Sequence, residues 1–351
     1  MDALKDRIAA LRLWFNANRQ PVMIGLLILA LAYPWIVRTY YRSLLTEVLI
    51  FAIFAMSLDL LLGYTGLPSF GHAAYFGLGA YAVAFLASSD ARAFDITGNL
   101  LITVPIVLTI TALFALIIGF FAIRTSGIYF LMTTLAAAQM LFSIVNRWSA
   151  VTGGTDGLTG IPNASIGLGP LSVEFSPFQN SYYYLVLFFF LLVWYVLRRI
   201  INSPFGWTLQ GIRENEGRMK ALGYNTFRYK LAAFSIAGAF AGLAGILSTH
   251  FFKHAAPETL FLTTSGDAMI ALIIGGAGTL VGALLGSFVV ELFPLVISSY
   301  TERWQLLQGL LFIVFVVFVP NGIWGYFTSS AKKAISTGNA AKEVSHEQLE
   351  S

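Results

Sequence analysis

The chain has 351 residues, of which 57% are hydrophobic and only 11% are charged, and its mean hydropathy is +0.76. Soluble domains carry about 25% charged residues, so this composition predicts an integral membrane protein. The net charge of +4 is too small to indicate binding to nucleic acid, and a sequence without cysteine has neither a disulfide framework nor a thiolate metal site.

The apolar residues form continuous runs, whereas the strands of a membrane barrel would alternate polar and apolar positions. A helix needs about 20 mostly apolar residues to cross a bilayer. On this basis, the sequence predicts an all-α integral membrane protein with about ten transmembrane helices, some of them short or broken, in one domain over 22–325. The predicted spans are 22–37, 44–62, 72–87, 100–123, 128–146, 182–200, 231–250, 266–276, 280–298 and 305–320, of which the third and the eighth are short.

The positions of lysine and arginine predict the orientation of these spans. If residues 1–21 are cytoplasmic, most basic residues fall on the cytoplasmic side, which agrees with the positive-inside rule. Both termini are then cytoplasmic, the loop 147–181 is periplasmic and the loop 201–230 is cytoplasmic. We expect 1–21 to form an amphipathic helix on the inner leaflet and 326–351 to be a polar, disordered tail. A cleaved signal peptide is the alternative for the N-terminus.

A cluster of helix-breaking residues interrupts the apolar pattern in "LGYTGLPSFGHAAYFGLGAY", residues 62–81. A break at membrane depth frees backbone groups that lipid cannot satisfy, so protein or a water-lined cavity must cover it. One interpretation is a tight cytoplasmic turn whose glycines permit close packing. The other is a re-entrant or broken element beside a translocation path. The residues concerned are Gly63, Tyr64, Gly66, Pro68, Gly71 and His72. We expect His72 to be a hydrogen-bonded structural residue and not a metal ligand.

A second glycine-rich break lies in "IGGAGTLVGALLGS", residues 274–287. Like the first break, it contains a G-x-x-G pattern, here Gly275 and Gly278 with Gly276 between them. Transporters often carry two related halves with interrupted helices at matching positions. The pairing of the two breaks therefore suggests an internal repeat.

Charged residues within the predicted spans are few: Glu47, Asp59, Asp267 and Glu291. An ionisable residue at membrane depth indicates a functional site by default. No basic residue accompanies these acids within a span, so hydrogen-bonded structural carboxylates are an equally good interpretation.

The loop 201–230 carries two helix-start signals. Ser203 followed by Pro204 is a good N-cap and first turn, and Asn215 with Glu216 is a second start. Two short helices with apolar anchors among mixed charges are predicted, the second ending near Gly223. Such an ordered surface predicts a protein contact, while the alternative is a solvated basic loop on anionic lipid.

Several segments resemble the permease subunits of bacterial ABC importers for branched-chain amino acids. They are "SLDLLLGYTGLPSFGHAAYFGLGAY" (57–81), "RTSGIYFLMTTLAAAQ" (124–139), "TGGTDGL" (152–158), "IRENEGRMKALGYNTFRYKLAAFSIAGAFAGLAG" (212–245) and "GGAGTLVGALLG" (275–286). The resemblance covers about 44–325. It implies an inner-membrane subunit that forms half of a translocation pathway with a second related permease. It also implies two cytoplasmic ATPase subunits, which bind ATP and Mg, and a periplasmic substrate-binding protein.

The resemblance further implies that part of the loop 201–230 docks onto an ATPase subunit. Glu216 and Gly223 stand where the family has a glutamate and a later glycine in its docking loop. The predicted docking surface comprises Arg213, Glu214, Glu216, Arg218, Met219, Leu222 and Gly223. Gly217 and Arg218 stand where small, alanine-like residues are common in the family.

The chain contains no G-x-x-x-x-G-K-[ST] motif, so it cannot bind and hydrolyse ATP by that route. We therefore predict a transport subunit without catalytic residues, metal or cofactor of its own. The alternatives are an importer subunit of the same class for urea, amides or other small carboxylates, and a self-contained secondary transporter or channel. A membrane enzyme is disfavoured because no His, Asp and Glu residues cluster at a predicted interface.

Overall fold

The computed structural model describes residues 19–94, 96–167, 173–177, 179–319 and 322–325. This part of the chain consists of helices and one antiparallel β-hairpin. The helices are α1 (Arg19–Ile36), α2 (Thr39–Asp59), α3 (His72–Ala87), α4 (Leu100–Ala122), α5 (Ile128–Arg147), α6 (Ser149–Thr152), α7 (Asn180–Ile201), α8 (Pro204–Ala221), α9 (Thr226–Phe252), α10 (Leu262–Gly275), α11 (Leu280–Ile297) and α12 (Trp304–Phe318). A π-helix (Leu60–Thr65), two 3₁₀ turns (Gly154–Asp156 and Pro257–Leu260) and the strands β1 (Ala164–Ile166) and β2 (Val173–Phe175) complete the fold.

The all-α membrane class is confirmed, and the bulk of each predicted span is helical. Within the described residues, seven helices are long and apolar enough to cross a membrane. His72–Ala87 and Leu262–Gly275 are apolar but shorter, which agrees with the two short spans that the sequence predicts. The count of about ten crossings stays a prediction. The amphipathic segment lies outside the described residues except for its last three positions, which begin α1, and the tail 326–351 lies outside them entirely.

The centre of the bundle is formed by α2 and α9, which are largely buried against their neighbours. Glycine permits α9 to pack closely on α3. A Cβ atom at Gly79 would overlap the backbone of Gly242, and one at Gly245 would overlap the carbonyl oxygen of Phe76. Small residues at helix crossings let two backbones approach, which is a common device in membrane bundles. In contrast, α4, α5 and α12 expose many apolar side chains, as suits contact with lipid.

Loop contacts define two ends of the bundle. At the hairpin end, Ser89 N–H donates to the Gly160 carbonyl at 3.1 Å, and Leu158 pairs with Ala255. At the opposite end, which we call the α8 end, α8 packs beside the π-helix and the connection between α10 and α11. Which end faces the cytoplasm stays a prediction.

Candidate functional site

The first break is a π-helical turn followed by an irregular connection. The π-helix Leu60–Thr65 continues α2 and stops at Gly66, whose φ of 74° is the left-handed conformation that favours glycine. Leu67 N–H donates to the Leu61 carbonyl at 2.9 Å, and the chain, including Pro68, then runs irregularly until α3 starts at His72. The break is therefore longer than a tight turn, and π-helical turns are frequent at functional sites.

The second break connects α10 to α11. Gly276 and Gly278 have φ values of 111° and 81°, which side chains other than glycine rarely tolerate. The Thr279 hydroxyl then caps α11 by accepting from Gly282 N–H at 3.2 Å. A Cβ atom at Gly275 would overlap the Gly282 carbonyl, so α10 and α11 cross at a point where no side chain fits.

The two breaks touch each other at the α8 end. Asp59 is fully buried, and its Oδ1 accepts the backbone N–H of Gly278 at 2.7 Å. A Cβ atom at Gly63 would overlap both Asp59 Oδ1 and Gly278 N. The packing therefore requires glycine at position 63 and a carboxylate or an equivalent acceptor at position 59.

Arg213 of α8 joins the two breaks to the surface of the bundle. Its Nη1 donates to the Gly63 carbonyl, and its Cγ lies 2.9 Å from the point where a Cβ of Gly66 would stand. We call Asp59, Gly63, Gly278 and Arg213 the glycine junction. On sequence, Arg213 belongs to the predicted docking surface, and no basic residue shares a predicted span with Asp59. The structure brings the Arg213 guanidinium from α8 to the Gly63 carbonyl in the first break.

The neighbourhood of the junction leaves one buried acceptor unused. Asp59 Oδ2 has no hydrogen-bond partner within the described part of the chain. A small movement of Arg213 would change the electrostatic potential at the buried carboxylate of Asp59, because charges interact strongly in a low-dielectric interior.

His72 starts α3 and is fully buried. Its Nε2 lies 2.8 Å from Ser57 Oγ. The Ser57 hydroxyl donates its one proton to the Phe54 carbonyl at 2.6 Å, so His72 Nε2 is the donor to Ser57 Oγ. The ring also packs against the rings of Phe54 and Tyr75. His72 thus ties α3 to α2. Within the described residues, no group of three or more His, Cys, Asp or Glu side chains could hold a metal ion.

Gly71 precedes His72 and has no room for a side chain, because a Cβ there would overlap the carbonyl oxygen of Thr134. The connection between the first break and α3 therefore rests on the backbone of α5. The glycine cluster in the sequence predicts that Gly71 is important, but only the fold shows that it contacts the backbone of Thr134.

The loop 201–230 contains the two capped helices that the sequence predicts, joined at a kink inside α8. Asn215 has the extended angles φ −158° and ψ 97°, and its side chain accepts from Arg218 N–H at 2.9 Å. The Ser203 side chain accepts from Gly206 N–H at 3.4 Å and caps the first helix. We call residues 216–222 the docking helix.

Glu216 holds the docking helix against α9. Its carboxylate accepts from Lys230 Nζ at 2.7 Å and from the Thr226 hydroxyl at 3.0 Å, and Lys220 Nζ lies 3.0 Å away. Burial raises the pKa of Glu216, but these three partners outweigh it and lower the pKa to about 2. Glu216 is thus already engaged within the chain, while Glu214, Arg218, Leu222 and Gly223 are exposed, and Met219 is half-buried beside Gly211.

A bundle of apolar helices with interrupted spans and an ordered surface helix is the architecture of a multi-pass membrane transport protein. Residues 40–316 match the family model described as "Branched-chain amino acid transport system / permease component". The chain belongs to this family of membrane permeases.

Individual relatives agree with the family. The chain is 25% identical over 323 residues to the high-affinity branched-chain amino acid transport system permease protein LivM of Escherichia coli, covering 86% of this chain and 74% of the relative. A probable LivM permease of Methanocaldococcus jannaschii is 25% identical over 316 residues, covering 78% and 90%. LivH of Escherichia coli is 29% identical over 125 residues, covering 35% and 40%. No solved structure matches the chain.

Proposed function

We propose that this chain is one of two permease subunits of an ABC importer for branched-chain amino acids in a bacterial inner membrane. The observation that carries the proposal is the family match across 40–316. A second, related permease would form the other half of the pathway, and two ATPase subunits would bind ATP and Mg outside the membrane. A periplasmic substrate-binding protein would deliver the substrate.

In this proposal the α8 end faces the cytoplasm. Basic residues surround α8, and cytoplasmic loops carry an excess of lysine and arginine. Examples at this end are Arg198, Arg199, Arg218, Lys220 and Arg228. Both termini are then cytoplasmic and the segment 147–181 is periplasmic.

The ATPase contact is the exposed side of the docking helix. Leu222 leaves 66% of its surface exposed beside the charged residues Arg218 and Lys220, and an exposed apolar anchor on an ordered surface suits a protein partner. Gly223 follows with φ 88° and open space around it. Glu216 contributes indirectly, since its bonds to α9 fix the angle at which Leu222 is presented.

Docking and the membrane path are mechanically connected in this chain. Arg213 lies at the end of the first helix of α8, directly before the Asn215 kink and the docking helix. Its guanidinium contacts the glycine junction, where the two interrupted spans meet. A displacement of the docking helix by an ATPase subunit therefore changes the position of Arg213 and with it the contact between the breaks.

The docking assignment is tested by co-expressing the chain with the proteins encoded beside its gene. We expect Leu222→Asp to reduce the ATPase subunits that co-purify with the permease at least about tenfold, since a charge replaces an apolar anchor. Phe94→Asp is the matched control, because Phe94 is an equally exposed apolar residue at the hairpin end. Unchanged recovery with Leu222→Asp contradicts the docking surface.

The class of transporter is tested with leucine uptake into liposomes. The complete complex should transport leucine only with ATP, and the chain alone should not transport it. Uptake by the chain alone would instead make it a self-contained carrier or channel. Transport of urea, amides or other carboxylates in place of leucine by the complex would retain the importer class and change the substrate.

The orientation is tested with single cysteines at Ser165 and Ser203, which is convenient because the native chain has none. An impermeant thiol reagent applied to spheroplasts should label position 165 and spare position 203. The reverse pattern overturns the topology.

A further inference from the structure

A cavity of about 470 Å³ lies between α2, α3, α9, α10 and α11, towards the hairpin end. We call it the acidic cavity. Four carboxylates line it, those of Glu47, Glu258, Asp267 and Glu291. Among the described residues, no lysine or arginine lines it. Its volume falls within the range of small-molecule sites, about 300–1,000 Å³.

Three of these carboxylates have no partner within the described part of the chain. Asp267 accepts from the side-chain amide of Gln308 at 3.1 Å, but the side chains of Glu47, Glu258 and Glu291 make no hydrogen bond or ion pair there. Glu258 is exposed on the turn Pro257–Leu260, whereas Glu47 and Glu291 are half-buried on α2 and α11. A cation in the cavity would offset the cost of burying the charges of Glu47 and Glu291.

Ser248 of α9 is an independent sign of a missing ligand. It is only 7% exposed, it lines the cavity, and its hydroxyl group makes no hydrogen bond within the described residues. The adjacent Thr249 behaves as expected in a helix, because its hydroxyl donates to the Gly245 carbonyl at 2.9 Å. A buried hydroxyl that faces a cavity without a partner is positioned to accept a hydrogen bond from a ligand.

The remaining walls distinguish between kinds of cation. The phenylalanine rings of Phe51, Phe76 and Phe252 line the cavity. Within the described residues, the carboxylates are not grouped tightly enough to hold a metal ion, which would need several oxygens at about 2.0–2.6 Å. Aromatic and aliphatic walls suit an organic cation, since rings attract ammonium groups and pack against hydrocarbon.

We propose that the acidic cavity binds the primary ammonium group of an amino acid, with the aliphatic side chain against the phenylalanine rings. This inference rests on the proposed function, because the family supplies the substrate class. The ammonium group donates to Glu47, Glu291 and Ser248. The carboxylate of the amino acid lies towards the open side of the cavity, away from the four acidic residues that would repel it.

The test uses the full chain in nanodiscs and three compounds that share a branched carbon skeleton. Leucine carries both charged groups, 3-methylbutylamine carries only the ammonium group, and 4-methylpentanoate carries only the carboxylate. Isothermal titration calorimetry should detect binding of the amine and no binding of the acid. Binding of the acid with no binding of the amine overturns the proposal.

Variants locate the site. Glu47→Gln and Glu291→Gln should each weaken amine binding at least about tenfold, since hydrogen bonds to charged groups are strong, and Ser248→Ala should weaken it less. Glu302→Gln is the control, because Glu302 is an exposed acidic residue outside the cavity. Monodisperse elution and an unchanged Tm show that a variant is folded. Equal loss of affinity in the control, or full affinity in both glutamate variants, contradicts the assignment.

Leucine uptake by the complete complex separates this inference from the proposed function. If the parental complex imports leucine and both glutamate variants retain its affinity for the amine, the cavity assignment fails and the importer stands. If the chain binds the amine through Glu47 and Glu291 but the parental complex imports no branched-chain amino acid, the ammonium site stands and the substrate assignment fails.

Discussion

Two acidic residues on α2, Asp59 and Glu47, differ in their hydrogen-bond partners and in the free space around them. Asp59, near the end of α2, accepts a hydrogen bond from Gly278 N–H in a site without free space. Glu47, near the start of α2, faces an open cavity and has no donor within the described residues. The comparison teaches that space and donors, and not the residue type, separate a structural carboxylate from one that is available to a ligand.

The largest effect is expected from adding one carbon at the glycine junction. In Gly63→Ala, the added Cβ would overlap Asp59 Oδ1 and Gly278 N, so the two breaks must move apart. We expect a loss of unfolding free energy of about 3 kcal/mol or more, or no folded protein. The measurement is monodisperse yield and Tm in detergent. Gly309→Ala in α12 is the control, since nothing lies within 4 Å of its Cβ position. A stable Gly63→Ala protein would show that the breaks do not pack in this way.

The next effect concerns the two charged members of the glycine junction. Asp59→Asn and Arg213→Ala should each reduce the unfolding free energy, by about 1–3 kcal/mol, because the first replaces the charged acceptor of Gly278 N–H by a neutral one and the second removes the charged donor to the Gly63 carbonyl. The double variant should lose clearly less than the sum, since the residues share one network. Arg228→Ala is an exposed arginine control and should cost under about 0.5 kcal/mol. Strict additivity would mean that Arg213 does not act on Asp59.

A smaller effect is expected at the docking helix as the pH changes. The pKa of Glu216 is lowered to about 2 from a usual value near 4.5, so its bonds stabilise the fold fully above about pH 4.5 and lose this contribution as the pH falls towards 2. The Tm difference between the parent and Glu216→Gln should therefore shrink over that interval. Glu214→Gln should show almost no difference at any pH. A constant difference for Glu216→Gln would contradict the role of its charge.

The smallest change in unfolding free energy is expected when a carboxylate of the acidic cavity is neutralised in the absence of ligand. Glu47→Gln removes an unpaired charge, so its unfolding free energy should lie within about 0.5 kcal/mol of the parent or above it. Asp59→Asn on the same helix should be destabilised, as described above. If Glu47→Gln proves as destabilised as Asp59→Asn, Glu47 has a structural partner and the contrast between the two sites disappears.

Local signals predicted much of this fold. The bulk of each predicted apolar span is helical, because length and apolarity decide helix formation in a membrane regardless of distant contacts. The Ser203 and Asn215 caps also formed as predicted, since a cap needs only a side-chain oxygen and an amide two or three residues later. The glycine clusters correctly marked the two breaks, although the internal repeat stays a prediction.

The sequence by itself determined the membrane class, the helical segments, the capped surface helix 216–222 and, through its motifs, the family. Only the tertiary structure decided that Asp59 accepts a hydrogen bond from Gly278, 219 residues away, and that the exposed Arg213 donates to the Gly63 carbonyl in the first break. It also decided that Glu47 and Glu291 share a cavity while Glu216 is held by Lys230. The physical reason is range: helix formation and capping depend on neighbours within a few residues, whereas hydrogen-bond partners and free space depend on how whole helices pack.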